Sequence, residues 1–168
     1  MVKKVAIGIA VFVALAGVEL FWIQANSAAG AAQLRQKKTL SLAAAKKMAA
    51  VVEADAVKEG AVVTIVIVDD GGKLIYLERM DGAMSGPMEV TEGKARTAAG
   101  FGEPSKSFKD RMAQGGPDAG LATFPITAAA GGLPVIIDGQ TVGAIAVGGA
   151  KDAADEQFAQ DAIAAITK

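Results

Sequence analysis

Between Arg79 and Thr97 the chain gathers the side chains best suited to hold or transform a small molecule. Arg79 closes a strand-like run, and Glu92, Lys94, Arg96 and Thr97 then follow on a helix-like segment. A guanidinium grips a carboxylate through two parallel hydrogen bonds, so Arg79 and Arg96 are candidate clamps for propionates or a small carboxylic acid. The competing use is plain ion pairing with Asp81, Glu89 or Glu92, and the i,i+4 spacing of Glu92 and Arg96 makes that pairing easy. Lys94 becomes a base or a Schiff-base amine if burial lowers its pKa. Met80, Met84 and Met88 recur every four residues and suit an oligomer interface, or the face of a flat apolar ligand. Asp69-Asp70 beside Gly71-Gly72 is turn chemistry before it is a cation site.

Two absences narrow the chemistry. The 168-residue chain has no cysteine and no histidine. Disulfides, thiol nucleophiles, thiolate metal sites, Ser-His-Asp and Cys-His arrangements and imidazole ligation are all removed. Acid–base work falls to carboxylates, Lys, Tyr or water. A net charge of −1 with scattered basic residues, and only 5% aromatics, exclude a nucleic-acid footprint and a base-stacking platform. Gly100-Phe101-Gly102 and Gly148-Gly149 lack the Gly-Lys-Ser/Thr of a phosphate loop and the strand-to-helix setting of a dinucleotide site.

These residues need a scaffold, and the chain supplies one after a leader. Lys3 and Lys4, an apolar run from Val5 to Val18, and small residues at Ala25, Ser27 and Ala28 have the order of a secretory signal peptide. Glu19 interrupts the run, which disfavours a full membrane span. Residues 1–28 are therefore expected to be a signal peptide, with an uncleaved anchor as the only membrane attachment; 29–38 form a polar linker and 39–168 one domain. Export places the mature, mildly acidic chain in the periplasm or outside the cell.

In the domain, Thr39 or Ser41 caps a first helix with the apolar stripe Ala45, Met48, Ala49, Val52 and Ala56, and Gly60 ends it. Val62 to Val68 is β-branched and apolar on both faces, as in a central strand. Asp69–Gly72 turns the chain into a return strand, with Ile75, Leu77 and Arg79 on one face and Leu74, Tyr76 and Glu78 on the other. Ser85 and Pro87 start a second helix carrying Val90, Gly93 or Lys94, Thr97 and Phe101 along one face. A shorter helix follows from Ser105 to Met112. Residues 118–132 read as loop or a short strand. A hairpin turning at Asp138-Gly139 and a last helix begun at Asp152, with Asp155 or Glu156 in its first turn, complete the order. The pattern implies an α+β domain, a mostly antiparallel sheet with helices packed on it.

Several stretches together resemble the GlcG/HbpS-like family, which includes the C-terminal domain of PduO-type proteins. They are V-I-V-D-D-G-G-K-L at Val66–Leu74, R-M-D-G-A at Arg79–Ala83, E-G-K-A-R-T-A-A at Glu92–Ala99, and G-G-L-P-V at Gly131–Val135. D-G-Q-T-V-G-A-I-A-V-G-G at Asp138–Gly149 and D-E-Q-F-A at Asp155–Ala159 complete the set. The resemblance spans nearly all of Leu40 to Ile166. It implies a profilin-like fold, a five-stranded antiparallel sheet with helices on both faces, and a homo-oligomer, often an octamer. For some members it implies binding of haem or a related tetrapyrrole. It points to Thr97, in the K-A-x-T-A stretch, as lying at the haem site, with Lys94, Arg79, Arg96, Met80 and Tyr76 as further cofactor contacts. With no histidine, an iron ligand would come from Thr97, Tyr76, Met80, Met84, Met88 or Lys94. Two other readings stay open: a hydroxy- or keto-acid enzyme using Lys94 with Arg79 or Arg96, and a structural oligomer with no ligand.

Overall fold

Every polar backbone group that leaves water needs a partner, and in this chain the buried strands Thr64–Asp69 and Gln140–Gly148 find theirs in each other and in the strands beside them. The computed structural model describes residues 36–114 and 116–167; the expected signal peptide, 1–28, and most of the 29–38 linker lie outside the described residues. The elements run α1 (Leu42–Lys58), β1 (Thr64–Asp69), β2 (Leu74–Arg79), α2 (Gly86–Phe101), α3 (Ser105–Gln114), a 3₁₀ stretch (Gly116–Thr123), β3 (Gly132–Ile137), β4 (Gln140–Gly148) and α4 (Asp152–Thr167). The sheet order is β2-β1-β4-β3, with each neighbouring pair antiparallel.

The two sheet faces are packed differently. Against one lie α1 and α4, around Met48, Val52, Ile65, Ile67, Ile145 and Phe158. Against the other lies α2, through a thinner layer of Val66, Val68, Ala95, Ala98, Ala144 and Ala146. Small side chains let α2 approach closely: a Cβ on Gly93 would fall 2.1 Å from Thr127 Oγ1. The stripe expected on α2 is accordingly corrected. Val90 and Phe101 are exposed, while Thr91, Lys94, Ala95, Thr97 and Ala98 are buried.

Local chemistry sets the turns. Ser41 accepts the Ala44 N–H as the α1 cap, and Asp69 Oδ1 accepts the N–H groups of Gly71 and Lys73, each at 2.8 Å. At the second hairpin Asp138 and Gly139 both adopt positive φ, as a two-residue turn of that hand requires. A bulge opposite Ile67 and Val68 pairs Val68 with Leu74 and Ile67 with Tyr76. Ile75 therefore packs with Tyr76 toward α1, while Leu77 joins the α2 side; strict alternation misassigned Ile75.

The sheet has four strands, not the five that the resemblance implied. Between the 3₁₀ stretch and β3, side chains and not a neighbouring strand take backbone groups of residues 127–130. Thr97 Oγ1 accepts the Thr127 N–H at 2.9 Å, Ser105 Oγ donates to Ala129 O, and Lys94 Nζ donates to Ala130 O at 2.8 Å. Near the N-terminus, Leu40 N–H makes a backbone bond to Val142 O, and the Ser41 cap then starts α1 before a strand can develop.

Candidate functional site

At one end of the sheet, where β1 begins and β4 finishes, a cleft of about 310 Å³ opens between the first turns of α2 and α4. Pro87, Val90 and Thr91 form one wall, Asp152 and Asp155 another, and Gly148 and Gly149 the base. A smaller cavity of about 60 Å³ adjoins it, sharing Pro87, Gly148 and Gly149 and adding Thr64 and Met84. Among the described residues no group of acidic side chains is arranged to hold a metal ion, and no helix is long and apolar enough to cross a membrane.

Lys94 reaches the cleft from below. Only 4% exposed, it donates to Ala130 O and Val147 O, and its ammonium stands 3.9 Å from Asp155 Oδ2. Two N–H directions are thus engaged by carbonyls, and the charge faces the Asp155 carboxylate as an ion pair longer than a hydrogen bond. Burial lowers the Lys94 pKa against the opposing pull of Asp155 and Asp152, and burial raises the Asp155 pKa against the pull of Lys94 and two backbone N–H groups. For the Schiff-base or general-base reading the structure supplies the lowered pKa and a place on the cleft lining, while two carbonyl bonds and the Asp155 ion pair commit the nitrogen to holding together β4, the 130–131 loop and α4. The lowered pKa has a measurable sign. The unfolded chain holds this proton to higher pH than the folded chain, so stability attributable to Lys94 should rise as pH climbs from the folded value toward 10.5. Urea titrations of wild type and Lys94→Met across alkaline pH should show the difference shifting in favour of wild type; a flat difference would contradict the assignment.

Thr97 is buried, and its hydroxyl oxygen accepts the Thr127 N–H. It is therefore not placed to ligate an iron from solvent. With Thr91, whose hydroxyl donates to Pro87 O, and Lys94, it makes a polar stripe at spacing three that fastens α2 to its surroundings. Arg96 lies on the opposite, exposed side, paired with Glu92 at 2.8 Å. Its stem also packs on the first hairpin, where a Cβ on Gly72 would sit 3.5 Å from Arg96 Cγ.

The β2 candidates separate as well. Tyr76 OH donates to Glu78 Oε2 at 2.7 Å, and that bond, with burial and the nearby carboxylates, pushes the phenol above 10.0, away from the tyrosinate that iron would need. Met80 packs half-buried against the α1 side. Arg79 is exposed at the end of β2 and makes no hydrogen bond or ion pair among the described residues; its strand partner is Thr64. Met84, 71% exposed at the rim of the small cavity, is the accessible thioether. The sequence reading missed Thr64, hidden in an apolar run, and Ser105, which looked like an ordinary helix start. Asp155 was expected only to complement the dipole of α4.

The chain belongs to the HbpS-like family, described as haem degrading protein HbpS-like, which matches residues 40–164. Protein GlcG of Escherichia coli K12 is 35% identical over 114 residues, covering 68% of this chain and 84% of the relative. A crystal structure of a double mutant of HbpS from Streptomyces reticuli is 33% identical, with a TM-score of 0.75, covering 81% of this chain and 92% of that one. The crystal structure of a PduOC–haem complex is 26% identical, with a TM-score of 0.72, covering 77% and 96%.

Proposed function

We propose that this chain is an exported, homo-oligomeric protein that binds haem or a related tetrapyrrole at the cleft rim. The observation that carries the proposal is the accessible Met84 thioether beside Pro87, with Val90 exposed on the adjoining cleft and Arg79 exposed and unpaired among the described residues, in a chain whose solved relatives include a haem complex. A macrocycle needs apolar faces, an iron donor and cations for its carboxylates. Met84, Val90 and Arg79 fit those needs, whereas Thr97 and Lys94 are already committed. When bound, haem would supply an iron centre capable of ligand exchange and redox change. The chain's own part is to shield one face with Val90 and Pro87, to offer Met84 sulfur and to neutralise negative charge with Arg79. Oligomer formation is supported by the two outer strands, each with an exposed large apolar side chain, Leu74 at 52% and Ile136 at 48%; an octamer is the state to test by light scattering.

Titrating the purified protein with hemin should give a saturable Soret shift, stable over hours if the protein only binds and decaying if it also degrades the ring. Absence of a shift would refute the proposal.

A further inference from the structure

Thr64 carries a hydroxyl with no hydrogen-bond partner among the described residues, although the residue is only 1% exposed. Isolating a hydroxyl in this way is costly, and a buried polar atom left unpaired in a native fold calls for a ligand or solvent. The hydroxyl lies on the wall of the small cavity, which is also lined by Met84 and Pro87 at the start of α2. That helix is 16 residues long, and its N-cap, Ser85, makes no side-chain cap bond; Pro87 has no N–H and the Met88 N–H donates to Ser85 O, so the end offers the Gly86 N–H, on the adjoining cleft, and the positive pole of the helix dipole. Arg79, unpaired among the described residues, is the register partner of Thr64, and cross-strand partners project from the same sheet face.

From these three features we infer an oxyanion site that takes a carboxylate, bound by the Thr64 hydroxyl, the amino end of α2 and the Arg79 guanidinium. Volume agrees. The cavity offers about 60 Å³, where a single water needs only about 10–15 Å³. It is thus larger than one water requires and small enough to admit a carboxylate head group. The adjoining cleft of about 310 Å³, which shares Pro87, Gly148 and Gly149, is where the rest of the molecule would lie. Pro87 of the α2 amino end lines the small cavity, no carboxylate side chain does so among the described residues, and Arg79, exposed beside Thr64 in the sheet register, is the cation that would turn toward a bound head group. The site does not depend on the tetrapyrrole reading, because a small free acid presents the same carboxylate as a ring propionate.

Acetate is the probe. Added to the full chain at constant ionic strength against chloride, it should shift the amide resonances of Gly86, Gly148 and Gly149 saturably. Thr64→Val keeps the shape and removes the orphan hydroxyl, so it should fold at least as well as wild type. It should also weaken acetate binding by about tenfold or more, the worth of one hydrogen bond to a charged group. Arg79→Gln should weaken it as well. No acetate response at α2, or an unchanged response in Thr64→Val, would overturn the site and leave the cavity to water. A hemin titration in the presence of acetate separates the sources. Competition assigns the carboxylate to a tetrapyrrole, and independence assigns it to a small acid. A chain that takes acetate but no hemin refutes the tetrapyrrole reading and leaves this site standing.

Discussion

Lys94→Ala should destabilise the domain by about 3–5 kcal/mol, the cost of breaking a buried ion pair by removing one member. The alanine would leave the Asp155 carboxylate without its cation and Ala130 O and Val147 O without their donor beneath the cleft. Lys94→Met restores volume but still strands the Asp155 carboxylate. Adding Asp155→Asn to Lys94→Met removes that charge and keeps an oxygen for the Ala150 N–H, which Asp155 Oδ1 now accepts at 3.1 Å. The double variant should therefore recover much of the loss in urea denaturation. A lysine kept for chemistry would behave otherwise: Lys94→Ala would fold normally and fail only as a binder or catalyst.

Gly131→Ala should cost roughly 2–5 kcal/mol, combining backbone strain with overpacking. Gly131 has φ +99°, and a Cβ there would fall 2.5 Å from Val147 O and 2.9 Å from both Asp155 Cβ and Lys94 Nζ. Neither the carbonyl nor the tethered ammonium can withdraw, because each is bonded to the other. Thermal unfolding should show a large fall in midpoint for Gly131→Ala and none, or a small rise, for Gly100→Ala, which sits within α2 where a Cβ meets nothing within 4 Å and alanine favours the helix. Similar losses at both positions would contradict the packing account. The Gly-Gly of the G-G-L-P-V stretch is thereby explained by close approach at Gly131 and Gly132 and not by ligand binding.

These two results bear on what could be read from the chain alone. Both hairpins, the central position of β1 and the order of helices followed from β-branched runs and Asp-Gly turns, because such signals are local. The fifth strand did not, since whether residues 127–130 pair as strand depends on hydroxyl and ammonium groups 24 to 36 positions away. Family motifs drew attention to Lys94 and Thr97 as ligand contacts, yet sequence cannot show that their polar ends turn inward to satisfy a loop. Arg79 was legible as a carboxylate clamp, but on the same footing as Arg96, and Met84 as one of three evenly spaced methionines. What distinguishes them is that the fold leaves them accessible and uncommitted. Thr64 was illegible because an orphan hydroxyl is defined by partners it lacks in three dimensions.

The most direct test of the account is a hemin titration followed at the Soret band, comparing wild type with Thr97→Val and Met84→Ala. If α2's buried stripe is framework and the rim binds the ligand, Thr97→Val should match wild type in band position and affinity. Met84→Ala should shift the band and weaken binding by about tenfold, roughly 1.4 kcal/mol. Loss of binding in Thr97→Val with an unaltered Met84→Ala would contradict it.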